Sequence, residues 1–339
     1  MLYCLYKLNP LEVIQMNILK KALPALIAIS LFASSVASAN TFPDMPNDWT
    51  RQSLENAVTN GLLSGFDDGT IRPNNNITRA QMATIIVRCF GAEAKSDISE
   101  FTDVPEDAWY HDAFSKAVYM KAFNGDDKKQ LNPNNPITFQ ECFKVVASVF
   151  GLIAKTEDTS TPSDLALQDL SVLNNFADGA EVSDWAKPYV ASIVANGYWN
   201  GLDGKLTPRA YITRAQFAVL MNNMVTTYIN QPGTYSNLPE GNIMIKSGDV
   251  TIENYTTNSN IIIADAAKET ENGINFKNCT MNGKLVIRGG GRNVKYQGFL
   301  NQFVLLNPYL TIELDITNLN TVKGYSKYQS STCKYYIVG

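Results

Sequence analysis

The sequence predicts a multidomain protein: an all-α unit of three repeats, followed by an all-β unit of parallel β-helix-like build. Three observations carry this. A five-residue box occurs as Ile77-Thr78-Arg79-Ala80-Gln81, as Ile137-Thr138-Phe139-Gln140-Glu141 and as Ile212-Thr213-Arg214-Ala215-Gln216. After Gly241 the composition turns to Ile, Val, Thr, Asn and Gly with alternating apolar residues. Within that second part, Val250, Ile252, Asn254, Asn258, Ile261 and Ile263 match Ile274, Phe276, Asn278, Asn282, Leu285 and Ile287 at a step of 24 residues.

In chain order, residues 1–39 read as a signal peptide. Lys20-Lys21 supply its basic end, Ala22 to Ala33 its short apolar stretch, and Ala37-Ser38-Ala39 a small-x-small cleavage site before Asn40. Met16 alone starts such a peptide, so the true start is expected there. The apolar stretch is shorter than the about 20 residues that a membrane span needs, and the mature chain is expected to be exported and not membrane-spanning. Cleavage removes Lys7, Lys20, Lys21 and Glu12, taking Lys+Arg from 28 to 25 and Asp+Glu from 32 to 31, a net charge of −6 instead of −4. That acidity argues against a nucleic-acid partner, whose phosphates need clustered basic charge.

The repeats are expected over 40–91, 101–151 and 174–230. In each box a Thr stands three residues before Gln or Glu and ahead of an apolar run, which is a capping box that starts a helix. Apolar residues then follow at helical spacing: Met82, Ile85, Ile86 and Cys89; Cys142, Val145, Val146 and Val149; Phe217, Leu220, Met221 and Met224. An earlier helix in each repeat is marked by Trp49, Leu54 and Val58, by Trp109, Phe114 and Val118, and by Trp185, Val190 and Val194. Between the two helices lies a glycine turn at Gly65, Gly125 or Gly201. Its Asp-Gly pairs suggest calcium, but the alternating ligands and terminal Glu of a calcium loop are missing, and turn chemistry explains them better. Each tryptophan has two readings, a core residue or a stacking face at a groove wall.

Arg79 and Arg214 occupy the first helical position, where the helix dipole disfavours a cation. Phe139 stands there in the second repeat, so the helix itself does not need the charge. A solvated arginine, a pair with an aspartate such as Asp44, and an anion-binding role are the readings. The recurrence favours the last, and removal of both arginines is then expected to leave the fold intact.

Linkers are expected at 92–100, 154–169 and 231–241. The unit at 242–339 is expected to stack two short strands per step around an Asn-containing turn, with Asn254 over Asn278 and Asn258 over Asn282 forming amide ladders. An antiparallel sandwich is the alternative. Gly289-Gly290-Gly291 is read as a loop, since no Lys-Ser/Thr and no helix follow it. Cys89 and Cys142 lie on the helical stripes as small core residues, and Cys279 and Cys333 make no metal-ligand spacing with them. His111 is the only histidine, which excludes a multi-His metal site and is read as a surface or aromatic-packing residue. No cofactor and no metal are expected.

The repeats resemble S-layer homology repeats. The resemblance rests on the openings Phe42-x-Asp44, Phe101-x-Asp103 and Phe176-x-Asp178. It rests equally on Asp48-Trp49, Asp107 with Trp109 and Asp184-Trp185, on the glycine turns and on the three boxes. It covers residues 42–224. It implies a three-lobed helical pseudo-trimer that holds a protein non-covalently on the cell wall through a secondary wall polymer or peptidoglycan. By the same resemblance the ligand is an anionic glycan, bound by Arg79 and Arg214, by Trp49, Trp109 and Trp185, and by Asp44, Asp103 and Asp178. Self-association in a surface layer is a further expectation. The alternative is a wall-anchored, polysaccharide-degrading enzyme acting through the β unit. Such chemistry needs two carboxylates across a cleft, and the nearest cluster, Asp265, Glu269 and Glu271, reads as a solvated loop. A non-enzymatic anchor is therefore expected.

Overall fold

The computed structural model describes residues 42–153, 168–291 and 293–306, and the backbone of strands at 311–324, 328–331 and 334–338. The expected signal peptide, most of the 154–169 linker and Cys333 lie outside the described residues.

Each repeat contributes two helices: α1 (Arg51–Thr59) and α2 (Arg79–Phe90), α3 (His111–Tyr119) and α4 (Phe139–Val149), α5 (Lys187–Ala195) and α6 (Arg214–Met224). The second helix of each pair starts at its expected capping box. Thr78, Thr138 and Thr213 accept from the backbone N–H of Gln81, Glu141 and Gln216, whose side chains accept in return from the cap amides. The stripes behind these boxes are buried, Cys89 and Cys142 included, and burial raises both thiols above their usual range. Among the described residues no helix is long and apolar enough to cross a membrane.

The repeats close into a ring through their boxes. Ile77 donates its amide to the carbonyl of Ile212 at 3.0 Å, Ile137 to Ile77 at 2.8 Å, and Ile212 to Ile137 at 3.1 Å. Short antiparallel bridges flank this ring, at Asn76 with Thr213, Thr78 with Pro136 and Thr138 with Tyr211. The helical half is therefore not purely α, because its repeats are joined by extended backbone and not only by helix faces.

Each opening Phe and Asp locks its own repeat. Asp44 accepts from the amides of Ile71 (2.8 Å) and Arg72 (2.7 Å), Asp103 from Leu131 and Asn132, and Asp178 from Leu206 and Thr207. The second donor is left-handed each time, Arg72 at φ 51, Asn132 at φ 54 and Thr207 at φ 47. A carboxylate that gathers two backbone N–H groups offsets this uncommon backbone. A Cβ at Gly65, Gly125 or Gly201 would run into the ring of Phe42, Phe101 or Phe176. This close approach explains why the aromatic and the glycine recur together.

The remainder forms an eleven-stranded sheet: β1 (Thr227–Ile229), β2 (Gly233–Tyr235), β3 (Ile243–Ile245), β4 (Val250–Glu253), β5 (Thr256–Thr257), β6 (Ile261–Ile263), β7 (Ile274–Ile287), β8 (Val294–Leu305), β9 (Thr311–Gly324), β10 (Tyr328–Ser331) and β11 (Lys334–Val338). Strand β7 pairs in parallel with β4, β5 and β6 in turn, with Ile252 opposite Phe276 and Ile261 opposite Leu285, which is the 24-residue match. Asn254 and Asn278 are left-handed at the bend between β4 and β5 and its counterpart in β7, and Asn278 donates to the Asn254 amide oxygen at 2.8 Å. Asn282 donates likewise to Asn258 at 2.9 Å. Strands β8 and β9 continue the parallel stack, but β11 and β10 add antiparallel strands at the end, so the unit is not parallel throughout. The sheet also starts earlier than expected. β1 lies within 174–230, and β2, in the expected 231–241 linker, pairs with β4.

The two units share a core. Ile243-Met244-Ile245, Ile261-Ile262-Ile263 and Leu285-Val286-Ile287 are buried on both faces. Their first and third residues fill the interior of the sheet, and Met244, Ile262 and Val286 join the helical core with Val304. Burial on both faces is why these strands are continuous apolar runs. Ala266 donates its amide to the carbonyl of Phe90 at 2.7 Å, and Arg288, 3% exposed, pairs with Asp265 at 2.7 Å and stands 5.2 Å over the Phe90 ring. Lys284 donates to the carbonyl of Leu152 at 2.9 Å, just past the C-terminus of α4.

Candidate functional site

The cyclic joining of repeats places a cleft where they meet. It is lined by Leu62 to Phe66 of the first repeat, by Gln81, Thr84, Ile85 and Arg88 on α2, by Trp109 of the second repeat and by Arg214 of the third. Three repeats, brought together by the ring, thus contribute to one cleft.

Trp109 is 66% exposed, Trp49 60% and Trp185 49%, so the core reading of the tryptophans does not hold. The physical reason is position. Each precedes its helix, in the turn that leads in, while Leu54, Phe114 and Val190 inside the helices take the core sites. The Trp109 and Tyr110 rings stand 5.3 Å apart and nearly perpendicular. Trp185 lies 5.9 Å from the ammonium of Lys144 on α4.

The arginines differ from expectation. Arg214 is 5% exposed. Its Nε donates to the carbonyl of Ile71 and one Nη to that of Ser64, both at 2.7 Å, and the guanidinium lies 4.8 Å over the Phe66 ring. Burial, and then the neighbouring Arg72, bring its pKa down to about 10. Arg79 makes the same reach one repeat on. Its Nε donates to Leu131 O at 2.7 Å, it stands 5.3 Å over Phe123, and an Nη meets Glu141 at 3.3 Å. Neither is a solvated surface arginine, and neither pairs with Asp44. They clamp one repeat to the next. Phe139 fills the third place by packing on Trp199 at 5.2 Å, so an aromatic contact replaces the ionic one.

The helix N-termini are also closed to an anion. The amides of Arg79 and Ala80 donate to Asn135 and Pro133, those of Phe139 and Gln140 to Ala210 and Pro208, and those of Arg214 and Ala215 to Asn75 and Pro73. The third amide of each helix is taken by its capping threonine. Asp44, Asp103 and Asp178 are likewise engaged by backbone amides, and each pins its own repeat. Asp265, in the loop considered for hydrolysis, is tied to Arg288, and Glu269 and Glu271 are exposed beyond it.

The cleft holds one cation that sequence reasoning missed. Arg88, exposed near the end of α2, reaches Ser64 Oγ at 3.4 Å. The equivalent places in the other repeats are Ser148 and Asn223. A search for recurrent residues passes over a group that occurs once. Its only sequence signal is that it lies on the polar side of the α2 stripe.

Residues 41–83, 100–141 and 175–218 match the S-layer homology domain. The chain is 32% identical over 209 residues to a surface-layer 125 kDa protein of Lysinibacillus sphaericus, covering 60% of this chain and 16% of that one. It is 25% identical to an amylopullulanase of Thermoanaerobacterium thermosulfurigenes over 55% of this chain and 9% of that one. It is 28% identical to a cellulosome-anchoring protein of Acetivibrio thermocellus over 48% of this chain and 34% of that one. The chain thus spans less than a fifth of the length of the first two and about a third of the last.

Proposed function

We propose that this protein, which carries three S-layer homology domains, is a non-enzymatic anchor that binds a cell-wall polymer in the cleft where its repeats meet. It is a cell-wall- or envelope-associated protein, in keeping with its surface-layer and cellulosome-anchoring relatives. The observation that carries the binding reading is the cleft in which exposed Trp109 faces the Ser64–Phe66 turn and Arg214. Trp109 stands two-thirds in water within a cleft, and its flat ring beside polar groups suits a sugar. A secondary wall polymer or peptidoglycan is the polymer class we favour, and we take export through the segment at 1–39 as part of the reading. The C-terminal sheet is read as a short β-helix-like stack, on the strength of its 24-residue register, docked on the helices as a rigid extension.

The test is co-sedimentation of the full chain with cell walls purified from the producing organism. Trp109→Ala is expected to weaken binding by about tenfold or more, the usual cost of removing a central aromatic anchor, with unchanged thermal unfolding. Equal binding by the variant rejects the cleft.

A further inference from the structure

We propose that the C-terminal sheet carries a carbohydrate site of its own: its narrow middle stretch, with Phe299 as the stacking platform and rows of Asn and Thr beside it, takes an uncharged β-linked glycan chain that bears acetamido groups. The proposal goes beyond the anchoring reading and does not depend on the cleft between the repeats.

Strand β7 meets β4, β5 and β6 in turn, so the sheet divides into three stretches. The stretch at β6 lies against the helices through Ile262, Val286 and Val304. The stretch at β4 turns charged side chains outward, with Glu253 opposite Lys277 and Lys295 on the next strand. The middle stretch is narrow. It starts at the left-handed bends of Asn254 and Asn278 and passes through β5 and the centres of β7 and β8. Along it the residues alternate. Tyr255, Thr257, Cys279, Met281 and Leu300 are buried, and the residues between them face outward.

Those outward positions hold no acid and no base. They are Asn254, Thr256 and Asn258 on the first row, then Asn278, Thr280 and Asn282 on the second. On β8 Phe299 stands opposite Thr280, as Thr280 stands opposite Thr256. Phe299 is half-buried and belongs to neither hydrophobic core. Exposed Gln297 lies on one side of it, and on the other Asn301 donates to the backbone carbonyl of Asn282 at 2.9 Å.

The asparagine pairs use only half of their capacity. Asn278 donates to Asn254 Oδ1 and Asn282 to Asn258 Oδ1. Each pair leaves the Nδ2 of its first member and the Oδ1 of its second without a protein partner among the described residues. An acetamido group carries one N–H and one C=O and meets both. The apolar face of a pyranose suits the Phe299 ring, and a few placed polar groups fix its orientation. A charged substituent would be desolvated here with no counter-charge to meet it, which is why the occupant is an uncharged chain.

The test is calorimetric titration of the full chain with chitohexaose and with cellohexaose, which share their linkage and differ in the acetamido group. Chitohexaose is expected to bind at least about tenfold more tightly than cellohexaose. Phe299→Ala is expected to weaken chitohexaose binding by about tenfold or more, and Phe299→Tyr to keep it. Thr280→Glu, which sets a charge in the middle of the stretch, is expected to weaken it as much. Neither residue belongs to a core, so thermal unfolding of both variants is expected to match the natural chain. Trp109→Ala is expected to titrate as the natural chain does. No binding of chitohexaose, or unchanged binding by Phe299→Ala and Thr280→Glu, overturns the site. Equal affinity for cellohexaose overturns the acetamido preference, and loss of binding in Trp109→Ala instead puts the sugar in the cleft and overturns the second site. Anchoring is read separately, by wall co-sedimentation of Trp109→Ala, so either idea can fail while the other stands.

Discussion

The amide of Ile77 donates to the carbonyl of Ile212 at 3.0 Å across 135 positions of sequence, and that bond ties the first repeat to the third. Arg214, two residues past Ile212, continues the junction by reaching the carbonyls of Ile71 and Ser64. The arginine is buried because the ring brings it against the first repeat. Its removal therefore acts on the fold before it acts on any ligand. Arg214→Ala is expected to lower stability by about 2–4 kcal/mol, through two lost charge-assisted bonds and two carbonyls left without donors. Arg79→Ala, with one carbonyl bond and a long ion pair, should cost less. Thermal unfolding of the two variants measures the order, and equal melting temperatures in all three proteins sink the clamp.

The opening aspartates give a second expectation. Asp103→Asn keeps the shape but turns one of two acceptors into a donor that faces the amide of Leu131 or Asn132. A loss of about 1–3 kcal/mol is expected, with wall binding of the folded fraction unchanged. Chemical denaturation paired with co-sedimentation separates the two effects. A variant that stays fully stable yet loses wall binding would place Asp103 in the ligand set.

Lys284 sets a pH dependence. Burial brings its ammonium down to about 8, below the usual lysine range near 10.4. A base with a lowered folded pKa binds protons less readily when folded, so the unfolded chain holds more of them between those two values. Stability owed to this group then rises as pH climbs from about 8 towards 10, and the penalty is complete below 8. Lys284→Met is expected to remove that rise. Urea titrations at pH 7 and pH 9.5 on both proteins give the difference. The idea fails if the two proteins respond equally to pH.

The shared core predicts what truncation does. Met244, Ile262, Val286 and Val304 are fully buried against the helices, each contributing about 1.5–3 kcal/mol as an upper estimate. A chain ending at Val225 is expected to melt lower than the full chain and to bind a hydrophobic dye over the uncovered Phe90 and Phe150 end. Unchanged melting without dye binding would show the helical half to be independent.

The amino-acid sequence by itself determined the local architecture. Thr78, Thr138 and Thr213 start helices because a capping box needs only residues within three positions, and the buried stripes follow from helical period alone. The 24-residue match determined that β4 to β6 stack on β7, since in-register strands place like residues over like. What tertiary structure alone decided is which surface each side chain meets. Trp109 is exposed, Arg214 is buried and Asp103 pins its own repeat, and neither residue type nor recurrence settles any of the three. The partners of Asp103 and Arg214 lie in other parts of the chain, 28 positions away for Asp103 and Leu131 and 150 for Arg214 and Ser64. Closure of the ring sets the meeting of Arg214 with the first repeat, and no local pattern encodes it. Arg88 was hidden for the complementary reason. It occurs in one repeat only, and a search for recurrent residues passes over it.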